Sequence, residues 1–262
     1  MTFAPAGPAR GLPAAGADPA FARPVGGTGG TASYLAYDVF ADWGVHALVT
    51  TRAAGSFGTA SDEPVGAVLG RWDSLQQHLA AAGASRLATA RQVHGADVIV
   101  HGPGWSGWLR GPAADGHVAP ARGTGTAVTV ADCVPVYLAH PSGATALLHS
   151  GWRGTEAGIL ARAVAALSAA GCAPADVRLL LGPAICGRCY EVSADVYGRL
   201  TGRVAAGPMT VDLRGLIAHE ARALGIDQVF AAAACTRCDN DQFFSHRAGD
   251  PGRQLGVLVA QP

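Results

Sequence analysis

Short apolar segments typical of β-strands recur along the chain and alternate with segments whose apolar residues have helical spacing. The predicted strands are 34–40, 45–51, 87–93, 97–101, 126–131, 134–139, 144–148, 177–181, 229–234 and 255–260. The predicted helices are 64–82, 155–170, 194–200 and 213–225. Because strands and helices are mixed along the chain, the sequence predicts an α/β (α+β) fold in which a mixed β-sheet is flanked by helices.

Turn and cap residues add detail to this pattern. Residues with N-capping side chains stand where the last three helices begin: Thr155, Ser193 and Asp212. Gly171 is a typical stop for the helix that precedes it. The strands 87–93 and 97–101 flank His94-Gly95-Ala96, which predicts a hairpin. Residues 102–125 are rich in Gly and Pro, which predicts a loop.

The composition narrows the class of partner. Of the 262 residues, 49% are hydrophobic and 15% are charged, so the chain can bury a large core. The formal net charge is zero, which argues against a protein that binds nucleic acid electrostatically. No apolar run approaches the length of a membrane span, and the absence of lysine excludes a Schiff-base lysine and a Walker-type phosphate loop. We expect neither nucleic acid nor membrane as a partner, and the oligomeric state stays open.

The first part of the chain differs from the rest. Residues 1–32 are rich in Ala, Gly and Pro and lack the charged start and long apolar segment of a secretory signal. They predict a disordered tail ahead of a single catalytic domain at 33–262. Without an export signal, the six cysteines are expected to be reduced or bound to metal, and the protein is expected to be cytoplasmic.

Three soft metal ligands stand next to predicted strands. His94 and His149 each follow directly on a strand, and Cys133 separates two apolar strands. Two imidazoles and one thiolate form a ligand set for zinc that leaves a fourth position open, and the same set suits copper. Gly95 and Gly151 nearby allow a close backbone approach. Taken singly, each ligand also fits an ordinary turn, strand-end or core position, and spacing alone leaves both interpretations open.

Two Cys-x-x-Cys pairs have the spacing of zinc knuckles. They are formed by Cys186 with Cys189 and by Cys235 with Cys238. Both pairs follow predicted strands, so four thiolates facing one another could hold a second, structural zinc ion. Free thiols or a redox pair are the alternatives.

The sequence blocks around these residues resemble the YfiH-like family, also called the multicopper polyphenol oxidase (laccase) domain family. The blocks stand in the family's order at 50–52, 92–95, 114–116, 131–136, 149–154, 182–185, 190–192, 235–236 and 243–247. By this resemblance, the histidines of the Gln-Val-His-Gly and His-x-Gly-Trp-Arg-Gly blocks and the cysteine of the Ala-Asp-Cys block bind zinc. These residues are His94, His149 and Cys133.

The resemblance also implies an activity. Members are described as zinc-dependent purine nucleoside phosphorylases with adenosine deaminase activity. The implied substrates are purine nucleosides (adenosine, inosine, guanosine or methylthioadenosine) and phosphate. Arg52 and Arg153 are candidate phosphate ligands because a guanidinium matches phosphate oxygens, although a structural partner is the alternative for each. Gln92, Asp115 and Arg247 are candidate substrate contacts.

Further residues are assigned by their chemistry. Tyr190, Phe243 and Phe244 could stack on a purine, with core packing as the alternative. For deamination, a zinc ion held by Cys133 and the two histidines would activate water to attack C6 of adenine. The glutamate of the His-x-Glu motif that usually carries the proton is missing from the sequence, so Asp132 or Glu191 would have to replace it.

Three other functions fit parts of the pattern. A copper-dependent polyphenol oxidase follows from the family's laccase label, but the nine histidines include no His-x-His pair of the kind multicopper centres use. A metal-free hydrolase with Cys133 as nucleophile and His149 or His94 as base could act on peptidoglycan precursors. A non-catalytic scaffold stabilised by metal would keep its fold and turn over no nucleoside.

Overall fold

The strands divide between two stacked sheets. The computed structural model describes residues 22–24 and 33–262. The strands are β1 (Ala22–Pro24), β2 (Tyr34–Tyr37), β3 (Val45–Thr50), β4 (Arg86–Arg91), β5 (Val98–Val100), β6 (Gly107–Ala113), β7 (Gly116–Ala119), β8 (Thr124–Val130), β9 (Val134–Ala139), β10 (Thr145–Ser150), β11 (Arg178–Leu181), β12 (Glu191–Val192), β13 (Met209–Thr210), β14 (Gln228–Ala231) and β15 (Gln254–Ala260). The first sheet has the order β1-β2-β3-β15-β8-β4-β6 and the second β14-β11-β9-β10-β7-β5, while β12 pairs with β13.

Helices cover the outer faces of both sheets. They are α1 (Val65–Ala81), α2 (Trp152–Glu156), α3 (Ile159–Ala169), α4 (Ala194–Thr201) and α5 (Leu213–Ala223). Helix α1 packs on the first sheet, and α3 and α5 pack on the second. Short 3₁₀ segments lie at Asp38–Trp43, Arg52–Ala54, Pro174–Asp176 and His246–Ala248.

The core lies in three layers because each sheet buries both of its faces. Successive strand residues point to opposite faces, so one set meets the partner sheet and the other meets the helices. Between the sheets, Val128 and Val130 of β8 pack with Tyr137, Leu147 and Leu180 of the second sheet. Parallel and antiparallel pairs occur in both sheets. The predicted α/β class with a mixed sheet and flanking helices is confirmed. The strand pattern did not reveal that the strands divide between two sheets.

The predicted hairpin around His94 is wrong. Strand β4 belongs to the first sheet, where it pairs in parallel with β6 and β8, and β5 belongs to the second, where it pairs with β7. His94 has the left-handed φ of 59° and lies where the chain passes from one sheet to the other. Cys133 lies on a second such passage, from β8 to β9. The two crossings bring both residues to the same end of the sandwich.

The predicted loop at 102–125 is also wrong, since it contains β6 and β7. Strand β6 is at the edge of its sheet, and its pairing with β4 skips Pro112 at a register shift. Position 116 of β7 is occupied by glycine because a Cβ there would lie 2.8 Å from the Leu148 side chain and 2.9 Å from that of Val98. Both turn-forming residue types therefore occur here for reasons of packing.

The other boundary predictions have mixed outcomes. Thr155 does not begin a helix but lies inside α2. The helical conformation is interrupted at Gly158, which has a φ of 74°, before α3 starts. Ser193 caps α4 as predicted, since its oxygen accepts a hydrogen bond from the amide of Val196 at 3.3 Å. Asp212 is at the N-cap of α5 without a side-chain capping bond.

The tail predicted at 1–32 lies outside the described residues, apart from Ala22–Pro24. That short segment forms β1, which pairs antiparallel with β2. Among the residues that the structure describes, we find no helix long and apolar enough to cross a membrane.

Candidate metal centre

The structure brings His94, Cys133 and His149 together at one end of the sandwich. Each offers a ligand atom, and these atoms lie within 4.8 Å of one another. His94 is on the turn after β4, Cys133 on the crossing between the sheets, and His149 in β10. The two imidazoles meet edge to face, with ring centroids 4.8 Å apart. Residues separated by 16 or more positions in sequence thus face one point.

The local geometry fits a bound ion. Ligand atoms around a tetrahedral zinc ion are separated by about 3.5 Å, given metal–ligand bonds of about 2.0–2.3 Å. The donor atoms here, all within 4.8 Å of one another, are near that spacing. Gly151 leaves the room they need, since a Cβ there would lie 2.8 Å from the Cys133 sulfur and 3.5 Å from His94 Cδ2. Two nitrogens and one sulfur are a donor set that zinc accepts, with a fourth position left free.

Asp115 holds both histidines in place. One carboxylate oxygen accepts hydrogen bonds from the His94 amide at 3.0 Å and from His149 Nδ1 at 2.8 Å. The other accepts the amides of Val93 at 3.0 Å and Gly95 at 2.8 Å. These bonds stabilise the left-handed turn at His94 and leave Nε2 of His149 for the metal. Asp115 is 0% exposed and is not part of the cavity lining, so its contacts support a role in positioning the histidines. The substrate contact expected of it stays a prediction.

Cys133 and His149 each stabilise the charged form of the other. Burial raises the pKa of the Cys133 thiol, but the two neighbouring imidazoles outweigh burial and lower it to about 6. Burial lowers the pKa of His149, but the Cys133 thiolate and the Asp115 carboxylate raise it to about 9. The thiolate, which is the form that binds metal, is therefore favoured at neutral pH.

Asp132, which directly precedes Cys133, is held by hydrogen bonds from three other residues. Its backbone has the left-handed φ of 82°. One carboxylate oxygen accepts the Thr236 hydroxyl at 2.6 Å, the other accepts the Arg247 amide at 2.8 Å, and its carbonyl accepts the Ile185 amide at 3.1 Å. These contacts fit a role in positioning Cys133, and the catalytic role of Asp132 stays a prediction, since Asp132 also lines the cavity. Glu191, the other candidate, is exposed and outside the cavity lining.

A cavity of about 460 Å³ opens over the three ligands. Arg153 and Arg247 are exposed on its lining, where the guanidinium of Arg153 lies 4.4 Å from the Trp152 ring and that of Arg247 lies 4.8 Å from the Tyr190 ring. Neither guanidinium has a carboxylate partner within residues 33–262. Two guanidinium groups without a carboxylate partner, next to the three candidate metal ligands, suit an anionic ligand.

Gln92 lines the cavity with its side chain already fixed. Its amide nitrogen donates to the Thr129 carbonyl at 2.8 Å, and its oxygen accepts from the Thr129 amide and hydroxyl. Tyr190 also lines the cavity. These two predicted substrate contacts are thus in the cavity wall.

Arg52 and the two phenylalanines are elsewhere. The Arg52 guanidinium is paired with Asp250 at 2.7 Å, donates to the carbonyls of Asn240 and Phe243, and stacks on Phe244. Arg52 is not part of the cavity lining. Its contacts therefore support a structural role, which was the alternative to phosphate binding. Phe243 and Phe244 are buried core residues, so neither offers a face to a purine.

Sequence reasoning missed His246 and Arg253, which both line the cavity. His246 stands beside Arg247 in a block that had already been singled out, so its neighbour was an available signal. Arg253 enters the lining from the start of β15, and its guanidinium donates to the carbonyls of Asp250, Pro251 and Gly252. Nothing in its surrounding sequence distinguishes it from a surface arginine.

The four other candidate ligands also meet. The sulfur atoms of Cys186, Cys189, Cys235 and Cys238 lie within 4.8 Å of one another. None of them is in the cavity lining, and all are free thiols in the structure. The described part of the chain therefore contains two separate groups able to bind a metal ion.

Comparison with known proteins supports the resemblance seen in the sequence blocks. A family model described as multi-copper polyphenol oxidoreductase laccase matches residues 50–261. The chain is 34% identical to the purine nucleoside phosphorylase SCO2081 of Streptomyces coelicolor, over 82% of this chain and 91% of that one. It is 38% identical to the purine nucleoside phosphorylase ORF3 of Streptomyces griseus, over 64% and 71%. The crystal structure of YlmD from Geobacillus stearothermophilus superposes with a TM-score of 0.78 and 26% identity, covering 90% of this chain and 98% of that one.

Proposed function

Since the chain belongs to the multi-copper polyphenol oxidoreductase laccase family, whose similar members here are named purine nucleoside phosphorylases, we propose that it is a zinc-dependent purine nucleoside phosphorylase that also deaminates adenosine. The single observation that carries the proposal is the convergence of His94, Cys133 and His149 beneath a cavity whose lining includes Arg153 and Arg247, which have no carboxylate partner within the described residues. The proposed substrates are phosphate with adenosine, inosine, guanosine or methylthioadenosine.

The choice of zinc rests on the donor set. Cys133 supplies a thiolate, and His149 supplies a nitrogen whose ring is oriented by Asp115. A carboxylate–histidine pair of this kind fixes the ring and raises its basicity as a ligand. When bound, a zinc ion would act as a Lewis acid and lower the pKa of water for hydrolytic deamination.

For phosphorolysis, the chain's own task is to hold an anion next to a developing positive charge. Phosphate forms a bond from one of its oxygens to C1′ of the ribose, while the bond from C1′ to the purine nitrogen breaks and its electron pair leaves with the base. Arg153 and Arg247 are in the cavity lining with free guanidinium groups, and each matches two phosphate oxygens. Trp152 and Tyr190 support these guanidiniums by stacking.

The leaving purine takes up a proton. His246 is exposed on the cavity lining, and we assign to it the delivery of that proton. Tyr190 remains a neutral donor, because burial and the nearby Cys133 thiolate raise its pKa to about 12. A phenol of this kind can donate a hydrogen bond to a purine nitrogen or a ribose oxygen.

The test is a nucleoside panel incubated with the purified protein, with and without phosphate, and resolved by chromatography. We expect phosphate-dependent release of free base and ribose 1-phosphate from at least one purine nucleoside. Conversion of adenosine to inosine is expected without phosphate. An absence of base release from all four nucleosides, at full metal occupancy, would contradict the phosphorylase assignment.

One observation favours a second candidate. The Cys133 thiolate beside protonated His149 is the arrangement of a cysteine hydrolase, whose substrate would be an amide such as a peptidoglycan precursor. The two functions respond oppositely to a chelator, because the hydrolase needs no metal. Amide hydrolysis that survives metal removal and is lost in Cys133→Ser would favour this candidate. The third alternative, copper-dependent phenol oxidation, requires metal-saturable turnover above the free-copper background.

A further inference from the structure

The four cysteines outside the cavity are at the ends of two neighbouring strands. Cys186 and Cys189 are in the segment after β11, and Cys235 and Cys238 in the segment after β14. Strands β11 and β14 are parallel partners, so the chain leaves both at the same edge of the second sheet. A parallel bridge between Ala184 and Cys235 continues the pairing into the two segments. The fold therefore places both Cys-x-x-Cys pairs side by side.

Backbone hydrogen bonds tie the two segments together at sulfur. The amide of Cys186 donates to the Cys235 sulfur at 3.2 Å, and the amide of Cys238 donates to the same sulfur at 3.4 Å. These contacts hold the Cys235 sulfur between the two Cys-x-x-Cys pairs. Cys189 and Cys238 have sulfur atoms 3.5 Å apart, well beyond the roughly 2.05 Å of a disulfide bond.

The four sulfur atoms lie within 4.8 Å of one another, so one ion placed among them could contact all four. Four cysteines are a ligand set typical of structural zinc sites.

We propose that Cys186, Cys189, Cys235 and Cys238 bind one zinc ion as a closed structural site, and that this ion positions Asp132 and Cys133 of the metal centre. Four thiolates fill a tetrahedral shell and leave no position for water or substrate. The cysteines are partly accessible, from buried Cys235 to exposed Cys238, so an ion can enter without unfolding of the chain. The part of the proposal that concerns Cys133 rests on the proposed function, and the metal site itself does not.

The connection to the catalytic end of the sandwich runs through residues adjacent to the cluster. Ile185, next to Cys186, donates its amide to the carbonyl of Asp132 at 3.1 Å. Thr236, next to Cys235, donates its hydroxyl to the Asp132 carboxylate at 2.6 Å. Both segments of the cluster thus hold the residue that directly precedes Cys133 and has a left-handed backbone. Such a conformation persists in a non-glycine residue only where its surroundings fix it.

The cavity wall depends on the same segments. The amide of Tyr190, next to Cys189, donates to the carbonyl of Cys186 at 3.1 Å. The Tyr190 ring then supports the guanidinium of Arg247. Loss of the structural ion should therefore loosen one ligand of the metal centre and one wall of its cavity, although none of the four cysteines is part of the cavity lining.

The metal site is tested by zinc content, measured in the full-length protein purified with zinc and without chelator. We expect two ions per chain in the wild type, one in Cys133→Ser, and one in the double variant Cys189→Ser/Cys238→Ser. Cys189 is partly buried and Cys238 is exposed, so the variant should fold. The control is Cys172→Ala, a buried cysteine in the core beside α3, which should retain two ions.

A spectrum keeps this test decisive even if a variant is unstable. Cobalt(II) replaces zinc, and four thiolates give it intense sulfur charge-transfer absorption. We expect that absorption in Cys133→Ser, where only the four-cysteine group can supply sulfur. Absence of this absorption would overturn the proposal. So would a wild type that binds a single zinc ion and a double variant that keeps it. Disulfide bonds within the cluster, seen by non-reducing mass spectrometry, would also overturn it.

The positioning role is tested by zinc affinity at the remaining centre. Chelator competition with the double variant, well below its melting temperature, should show affinity reduced by about tenfold, the size of effect expected when ligand support is lost. Unchanged affinity would refute the positioning role. Both readouts are independent of nucleoside turnover, so their failure is distinguishable from failure of the proposed enzyme activity.

Discussion

The two groups of candidate metal ligands in the described residues differ in where their ligands come from and in what surrounds them. The donors of the metal centre come from three separate segments and face a cavity of about 460 Å³, and Asp115 holds the two histidines. The four cysteines come from two segments with local Cys-x-x-Cys spacing and face one another. A centre with three donors and a cavity leaves room for chemistry, whereas four sulfurs complete a coordination shell. Sequence spacing alone finds the second kind of site more readily than the first.

The largest difference between the two groups should appear when a ligand of the metal centre is removed. His149→Ala deletes a buried ligand together with its bond to Asp115. We expect phosphorolysis and deamination to be abolished and zinc content to fall from two ions to one. The measurement is product release by chromatography combined with metal analysis.

The matched control for that variant is His46→Ala, which changes an exposed histidine of β3. Its activity and zinc content should equal those of the wild type. Unchanged turnover in His149→Ala would refute the assignment of the metal centre as the active site.

A smaller loss is expected when the support of the ligands is changed and the ligands are kept. Asp115→Asn replaces one oxygen that accepts backbone or imidazole N–H groups with an amide that donates, so at least one of the four hydrogen bonds is lost. Zinc affinity at the metal centre should fall by about 10–100-fold while the four-cysteine site keeps its ion. Chelator titration of the variant checks both, and equal loss from the two sites would contradict the comparison.

The arginines on the cavity lining should affect phosphate and leave the metal unaffected. Arg153→Gln and Arg247→Gln each remove a charged donor from the cavity lining. Because a hydrogen bond to a charged group contributes about 1.5–3 kcal/mol, the KM for phosphate should rise by about tenfold or more, with zinc content unchanged. Arg110→Gln, on the exposed face of β6, is the control and should match the wild type. If phosphate saturation curves of both variants match that of the wild type, these residues do not bind phosphate.

The smallest effect is expected at the connection between the two groups. Thr236→Val removes the hydroxyl that donates to Asp132 and keeps the shape of the side chain. A buried carboxylate oxygen without its partner costs about 1–3 kcal/mol, and part of that should appear as a several-fold lower kcat. Thr236→Ser keeps the hydroxyl and should restore most of the rate. If serine and valine reduce kcat equally, the hydrogen bond to Asp132 is not the cause.

The sequence was most informative where function depends on residue type. His94, Cys133 and His149 were identified from their positions beside strands and from the resemblance, and the structure brings them together. The role of Asp115 was not predictable, because its contacts span 20 to 34 positions of sequence and arise only when β7 and β10 pair.

The fold shows the same limit. Strand periodicity located β3, β9, β11 and β15 closely, since each is apolar and continuous. It could not tell that β4 and β5 enter different sheets, because that depends on a single left-handed residue, His94, held by a distant carboxylate. Glycine and proline in β6 and β7 predicted a loop, although their reasons for being there are an edge position and a close approach of side chains.

The most direct test of the account is anomalous diffraction from crystals of the zinc-loaded protein, recorded on both sides of the zinc absorption edge. We predict a peak about 2.0–2.3 Å from one nitrogen of His94, one nitrogen of His149 and the sulfur of Cys133, facing the cavity. Well-ordered crystals in which these three atoms point apart, with no peak between them, would contradict the claim that they form one metal centre.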